Sequence, residues 1–107
     1  MKRSELQRNV RQVVAQVVTL AQPLRVILFG SAVSGKMGPD SDLDFLVVIP
    51  EDCRPDQVTD LLNTAVRPRI MPCDFIVVTP SVLKEYGSTP GLVYREILEK
   101  GKEVYAS

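Results

Sequence analysis

The chain has 107 residues, a length that suits one domain, and we expect a single domain over 1–107. Thirteen basic and thirteen acidic residues give a formal charge of zero, so we expect no direct binding to nucleic acid or to anionic membranes. The sequence contains no histidine, which excludes Ser-His and Cys-His catalytic pairs and most zinc sites and leaves acid–base and metal chemistry to carboxylates.

The N-terminal sequence and the distribution of apolar residues bear on the location of the protein. The segment MKRSELQRNVRQ is too polar for a signal peptide, and no apolar run approaches the ~20 residues that span a bilayer. Cys53 and Cys73 form no CxxC pattern and are expected to be reduced thiols. The sequence therefore predicts a cytoplasmic protein with no membrane association.

The first half of the chain is predicted to contain one helix and two strands. Ser4 and Gln7 form a capping box ahead of apolar residues at helical spacing, which predicts a helix over 4–21. Two short, uninterrupted apolar runs then predict buried strands at 24–29 and 43–50.

The second half of the chain continues the alternation of helices and strands. A proline opens a predicted helix over 55–66, and the apolar run at 73–79 is a third predicted strand. A helical turn at 82–86 and a helix over 90–100, capped by Gly101, complete the chain. Strands that are apolar on both faces and alternate with helices predict an α/β sandwich with a covered sheet.

The loop after the first strand, FGSAVSGKMG, partly matches a Walker A phosphate-binding loop through Gly30 and Lys36. The next position should be Ser or Thr, but it is Met37, whose thioether is a poor ligand for Mg²⁺. Gly38-Pro39 would also break the helix that a Walker A loop must enter. We therefore reject a Walker A loop and interpret Lys36 as a solvated side chain.

The same loop has a second interpretation through Gly30 and Ser31. Glycine at the end of a strand allows an unusual turn and a close approach of the backbone to a ligand. Ser31 is placed to be a helix N-cap, and its hydroxyl and the amides after it would suit a phosphate oxygen. A Gly-Ser pair alone is more simply explained as a plain helix cap, so a phosphate-binding role depends on residues farther along the chain.

Asp42 and Asp44 stand two residues apart at the start of the second predicted strand, so both side chains leave the same face. That face continues with the apolar residues Leu46 and Val48. Two carboxylates on such a face would repel each other and lose hydration, and a bound Mg²⁺ or Mn²⁺ would relieve both costs. Asp40 is better explained as part of an Asp-rich turn.

A third acid, Asp74, interrupts the third predicted strand and shares a face with Ile76 and Val78. An edge position or a buried salt bridge would also explain it. Together with the Gly-Ser turn, however, three aspartates at the beginnings of two strands suit metal-dependent phosphoryl or nucleotidyl transfer. In that scheme Asp42 and Asp44 hold the metal on a triphosphate, and Asp74 completes a second metal position or takes the proton from the attacking hydroxyl.

These residues resemble the DNA polymerase beta-like nucleotidyltransferase superfamily, and within it the minimal nucleotidyltransferase (MNT) family. Gly30-Ser31 is followed by ten residues and then by Asp42-Leu43-Asp44, which is the family signature. A later strand with a third Asp, CDFIVV, and the ending REILEKGKEVY are also similar to the family.

The resemblance implies a mixed β-sheet flanked by helices, of the α/β (α+β) class, and transfer of AMP from ATP with Mg²⁺ or Mn²⁺. It also implies a companion HEPN-domain protein, typically an RNase toxin for which the MNT protein is the antitoxin. In this chain it assigns Asp42, Asp44 and Asp74 as catalytic and metal-binding residues, and Gly30 with Ser31 as the nucleotide-binding turn.

One departure from the family keeps a second function open. Many relatives continue the turn with basic residues, as in GSRARG, whereas this chain has Ala32 and Ser34. The lack of those positive charges favours the alternative of a non-catalytic antitoxin that neutralises its partner by forming a complex, whereas the three aspartates favour the enzyme.

Overall fold

The structure is a computed structural model that describes residues 3–35, 41–67, 71–90 and 92–107. The rejection of a Walker A loop, the solvated Lys36 and the Asp-rich turn concern residues outside these ranges. These residues are Lys36, Met37, Gly38, Pro39 and Asp40. Within the described ranges, the chain alternates helices and strands as the sequence predicted. The elements are α1 (Arg3–Ala21), β1 (Arg25–Phe29), α2 (Ser31–Ser34), β2 (Leu43–Val48), α3 (Pro55–Ala65), β3 (Cys73–Val78), α4 (Pro80–Tyr86), α5 (Val93–Lys100) and β4 (Lys102–Ala106).

Two predicted helix starts are wrong. Ser4 does not cap α1, because Arg3 is already helical and its unbranched side chain suits a helix interior. Helix α5 starts at Val93 rather than at Pro90, and its N-cap Leu92 is extended, with φ −93° and ψ 143°. The predicted cap at the other end of α5 is confirmed, since the Gly101 N–H donates to the Ile97 carbonyl over 2.7 Å.

The four strands form one mixed sheet in the order β3-β2-β1-β4. Strand β1 runs antiparallel to both β2 and β4, whereas β2 and β3 are parallel. The sheet is therefore mixed and flanked by helices, as the resemblance implied. Because of these directions, the end of β1 lies beside the beginnings of β2 and β3.

Helices cover the two faces of the sheet with separate apolar clusters. On one face, α1 and α3 pack Val17 and Leu62 against Phe45 of β2, whose ring stacks on Phe75 with 5.9 Å between centroids. On the other face, α5 packs Ile97 against alternate residues of the strands. These residues are Ile27, Leu46, Val48 and Val78.

The start of α4 is held by a carboxylate from the loop after β2. Glu51 Oε1 accepts a hydrogen bond from the Ser81 N–H over 2.5 Å, and Glu51 Oε2 accepts one from the Ser81 hydroxyl over 3.0 Å. A negative charge at this position satisfies a free amide of the first helical turn and interacts favourably with the helix dipole.

Among the described residues, none of the helices combines the length and hydrophobicity that a membrane-spanning segment requires.

Candidate active site

Gly30 forms a turn between β1 and the short helix α2. Its φ of 78° and ψ of −147° belong to a region that is accessible almost only to glycine. The Gly30 carbonyl accepts hydrogen bonds from the N–H groups of Val33 and Ser34, both over 3.1 Å. Gly30 is therefore the N-cap residue of α2, and the prediction of Ser31 as N-cap is wrong because Ser31 is already helical.

A second constraint on Gly30 comes from Asp44. A Cβ atom on Gly30 would overlap Asp44 Oδ2 and would lie 3.4 Å from Asp44 Cγ. Glycine thus provides both the backbone conformation of the turn and the space that the carboxylate occupies. The sequence suggested a close approach of this backbone to a ligand, but it gave no sign of the contact with Asp44.

Asp44 occupies the second position of β2, where strand pairing gives it neighbours on both sides. It lies opposite Phe29 of β1 and opposite Asp74 of β3. By strand alternation it shares a face with Leu46 and Val48, as predicted, and both of these belong to the cluster under α5. Asp44 is therefore a half-buried carboxylate at the edge of an apolar layer.

Burial and like charge both act on Asp44. Loss of hydration raises the pKa of its carboxyl group, and the nearby carboxylates of Asp74 and then Asp42 raise this pKa further. In the described part of the chain, none of the three aspartates forms a salt bridge or a side-chain hydrogen bond. Asp42 and Asp74 thus lie close enough to Asp44 to act on its carboxyl group, and among the described residues no cationic side chain pairs with any of the three.

Asp42 and Asp74 differ from Asp44 in position. Asp42 is half-buried and directly precedes β2, whereas Asp74 is exposed on β3, which is an edge strand of the sheet. The edge position that the sequence left open as an explanation for Asp74 is therefore what the structure has. Its register nevertheless places it directly opposite Asp44 on the neighbouring strand.

The donor set suits a metal that is shared with a substrate. Within the described ranges, no three His, Cys, Asp or Glu side chains converge closely enough to enclose a metal by themselves. Mg²⁺ is usually held by one or two carboxylates together with substrate phosphates and water. Asp42 and Asp44 have this chemistry beside the Gly30 turn, so the residues present fit a metal–triphosphate complex.

The sequence matches a protein-family model over most of its length. Residues 10–105 match the sequence model of the nucleotidyltransferase domain family. No curated protein matches the chain.

Three solved structures share the fold at low sequence identity. A candidate nucleotidyltransferase from Sulfolobus solfataricus is 20% identical, with a TM-score of 0.55 over 76% of this chain and 72% of that one. A toxin–antitoxin structure with AMP-PNP is 17% identical, with a TM-score of 0.57 over 89% of this chain and 72% of that one. The spectinomycin adenyltransferase of Enterococcus faecialis, solved with ATP and spectinomycin, is 18% identical, with a TM-score of 0.54 over 99% of this chain and 57% of that one.

Proposed function

The chain belongs to the nucleotidyltransferase domain family, and we propose that it transfers AMP from ATP to a hydroxyl group of a protein partner, with Mg²⁺ or Mn²⁺. The observation that carries this proposal is the juxtaposition of Asp44 with the Gly30 turn on one side and with Asp74 on the other. It joins a backbone turn suited to phosphate with carboxylates that have no salt-bridge partner among the residues that the structure describes. We include in the proposal that residues 1–107 act as one cytoplasmic domain of the minimal nucleotidyltransferase type.

The reaction is an in-line displacement at phosphorus. The acceptor oxygen forms a bond to the α-phosphorus while the bond from that phosphorus to the bridging oxygen of the β-phosphate breaks. Pyrophosphate leaves, and the proton of the hydroxyl passes to a carboxylate. A divalent cation held here would neutralise charge on the triphosphate and orient the α-phosphate for attack.

The residues of the site take different roles in this proposal. Asp42 and Asp44 would hold the metal, and through it the triphosphate, while Gly30 and Ser31 would position a phosphate against the start of α2. Asp74 is exposed, which suits either completion of a second metal position or acceptance of the proton from a hydroxyl that arrives from solvent.

The partner in this proposal is a HEPN-domain toxin for which this protein is the antitoxin. The resemblance of the sequence to MNT proteins supports it, and so does the fold that the chain shares with the toxin–antitoxin structure. One observation favours a second candidate function. Helix α2 carries Ala32 and Ser34 and no basic side chain toward a triphosphate, which suits an antitoxin that acts only by binding.

Labelled ATP distinguishes the two functions. The protein is incubated with ATP labelled on the α-phosphate, Mg²⁺ and the product of the adjacent gene, and the label on that product is measured. We expect labelling that is lost with Asp42→Asn and Asp44→Asn but kept with Asp60→Asn, a matched change of an exposed Asp on α3. A stable complex with no label would contradict AMP transfer and leave binding as the function.

A further inference from the structure

A groove of about 940 Å³ lies between α1 and β4, on the sheet face opposite the aspartates. Its α1 wall contains Leu6, Val10, Val14 and Val18, which recur at every fourth position and form one apolar stripe along the helix. Val33 of α2 lines the groove as well. The groove is therefore an elongated apolar surface that reaches the element following Gly30.

The other wall of the groove is an open edge of the sheet. Strand β4 ends the strand order and pairs only with β1 among the described strands. Backbone N–H and C=O groups along its outer side are thus available to another strand. Five residues of strand extend over roughly 17 Å, enough for an added strand of similar length.

The charges around the groove are unbalanced. Arg3, Arg11 and Lys102 line it, and within the described ranges none of them forms a salt bridge. Glu103 also lines it, but Arg25 Nε already donates to its Oε1 over 2.7 Å. In the part of the chain that the structure describes, the groove therefore offers three cations that form no salt bridge, which favours a negatively charged occupant.

We propose that this groove binds an extended segment of a protein partner, which pairs with β4 as a fifth strand. Alternate apolar side chains of the segment pack on the α1 stripe, and acidic residues at its ends meet Arg3, Arg11 and Lys102. Charged residues on an edge strand normally prevent indiscriminate pairing. Here the same charges select a segment of complementary sign.

Two other occupants fit the groove less well. A docked helix would remove water from the β4 edge without supplying donors or acceptors, because its own backbone groups are already paired. A second copy of this chain would bring two grooves of the same positive sign together, which is unfavourable. An acidic strand satisfies both the backbone edge and the side-chain charges.

The proposed docking does not depend on nucleotidyl transfer, since the groove and the aspartates lie on opposite faces of the sheet. It applies equally to an enzyme that must hold its protein substrate and to an antitoxin that only binds. Its failure would leave the AMP-transfer proposal intact, and a catalytically inactive protein would still be expected to bind the segment.

The test uses the full chain labelled with ¹⁵N and the peptide Glu-Glu-Thr-Val-Thr-Val-Thr-Val-Glu-Glu as a probe. We expect the largest shifts and the largest gain in hydrogen-exchange protection at the β4 amides. Replacing the flanking Glu with Lys should weaken binding at least tenfold at low salt. Proline at two of the Val positions should abolish binding, because it removes backbone donors.

Charge variants of the protein provide the matched controls. Arg11→Glu combined with Lys102→Glu should weaken binding of the acidic peptide at least tenfold and improve binding of the Lys-flanked peptide. Arg8→Glu combined with Lys84→Glu changes exposed cations outside the groove and should alter either affinity less than twofold. Four results would each overturn the proposal. They are equal binding of the acidic and the Lys-flanked peptides, chemical-shift changes at residues other than those of β4, tighter binding of an acidic helical peptide, and dimerisation of the chain through β4.

Discussion

Gly30 and Asp44 lie against each other where β1 ends and β2 begins, so that a Cβ on Gly30 would overlap Asp44 Oδ2. Gly30 and Asp44 are 14 positions apart in the sequence, but the Asp44 carboxylate occupies the space that a side chain at position 30 would need. The proposed phosphate turn and metal ligand are therefore one structural unit, and a substitution of either residue should displace the other.

Gly30→Ala should destabilise the protein more than Gly35→Ala. Both glycines have a φ of 78°, but a Cβ at Gly35 would meet nothing within 4 Å. Alanine in the left-handed conformation of Gly35 (ψ 13°) costs about 1–2 kcal/mol. The glycine-only conformation of Gly30 (ψ −147°) costs at least as much, and the collision with Asp44 should add ~1–3 kcal/mol there. Urea denaturation of the two variants measures the difference.

A double-mutant cycle separates the collision from the backbone cost. In an Asp44→Ala background, Gly30→Ala should lose the added cost, which gives a coupling free energy of at least ~1 kcal/mol. If the two changes were additive within ~0.5 kcal/mol, the contact between these residues would not exist in solution.

The raised pKa of Asp44 predicts that Asp44→Asn stabilises the protein when no metal is bound. A carboxyl whose pKa is higher in the folded state stabilises the fold below its ordinary value of 3.8, and this contribution is lost as the pH rises through the raised pKa. At neutral pH the charged side chain is thus unfavourable, and removing its charge should raise Tm by about 1–4 °C after allowance for solvent screening. Calorimetry in the presence of a chelator measures this shift.

The control for that shift is Asp60→Asn, which removes an exposed carboxylate on α3. It should leave Tm within about 1 °C of the parent protein at every pH. A lower Tm for Asp44→Asn at neutral pH would contradict the proposed repulsion among the three aspartates.

Asp74→Asn should lower AMP transfer by about 10²–10⁴-fold, whether Asp74 accepts a proton or completes a second metal position. Binding of ATP with Mg²⁺ distinguishes the two roles, because loss of a proton acceptor leaves affinity within about threefold and loss of a metal ligand weakens it. Single-turnover rates together with equilibrium binding measure both. An unchanged rate would remove Asp74 from the site.

Glu51→Ala should destabilise the protein by about 1–2 kcal/mol, because it removes the carboxylate that accepts two hydrogen bonds from Ser81 at the start of α4. Asp52→Ala, at the neighbouring exposed position, should cost less than about 0.5 kcal/mol. Urea denaturation compares them, and equal costs would show that the Glu51 contact does not hold α4 in solution.

The sequence predicted the elements that its apolar pattern defines. Strands β2 and β3 stand out because LDFLVV and CDFIVV are apolar on both faces, which is typical of covered strands. Strand β4 was not predicted, because Lys102 and Glu103 give it the polarity of an exposed edge and its pairing with β1 is distant in sequence. Its place beside β1 depends on packing that a local pattern does not encode.

The site was predictable only in part for the same reason. Strand alternation places Asp44 on the face of Leu46, and it does so in the structure. The contact between Gly30 and Asp44 and the register of Asp44 opposite Asp74 depend on strand order. The roles of Asp42, Asp44, Asp74, Gly30 and Ser31 in binding metal and nucleotide stay predictions.

The most direct test of the central claim is paramagnetic broadening by Mn²⁺ in the presence of α,β-methylene-ATP, which cannot release pyrophosphate. We predict that the amides of Gly30, Ser31, Asp44 and Asp74 broaden first, and that Asp44→Asn abolishes this broadening while Asp60→Asn preserves it. Broadening that survives in Asp44→Asn, or that centres on other acids such as Glu96 and Glu99 of α5, would contradict a metal–nucleotide site at these aspartates.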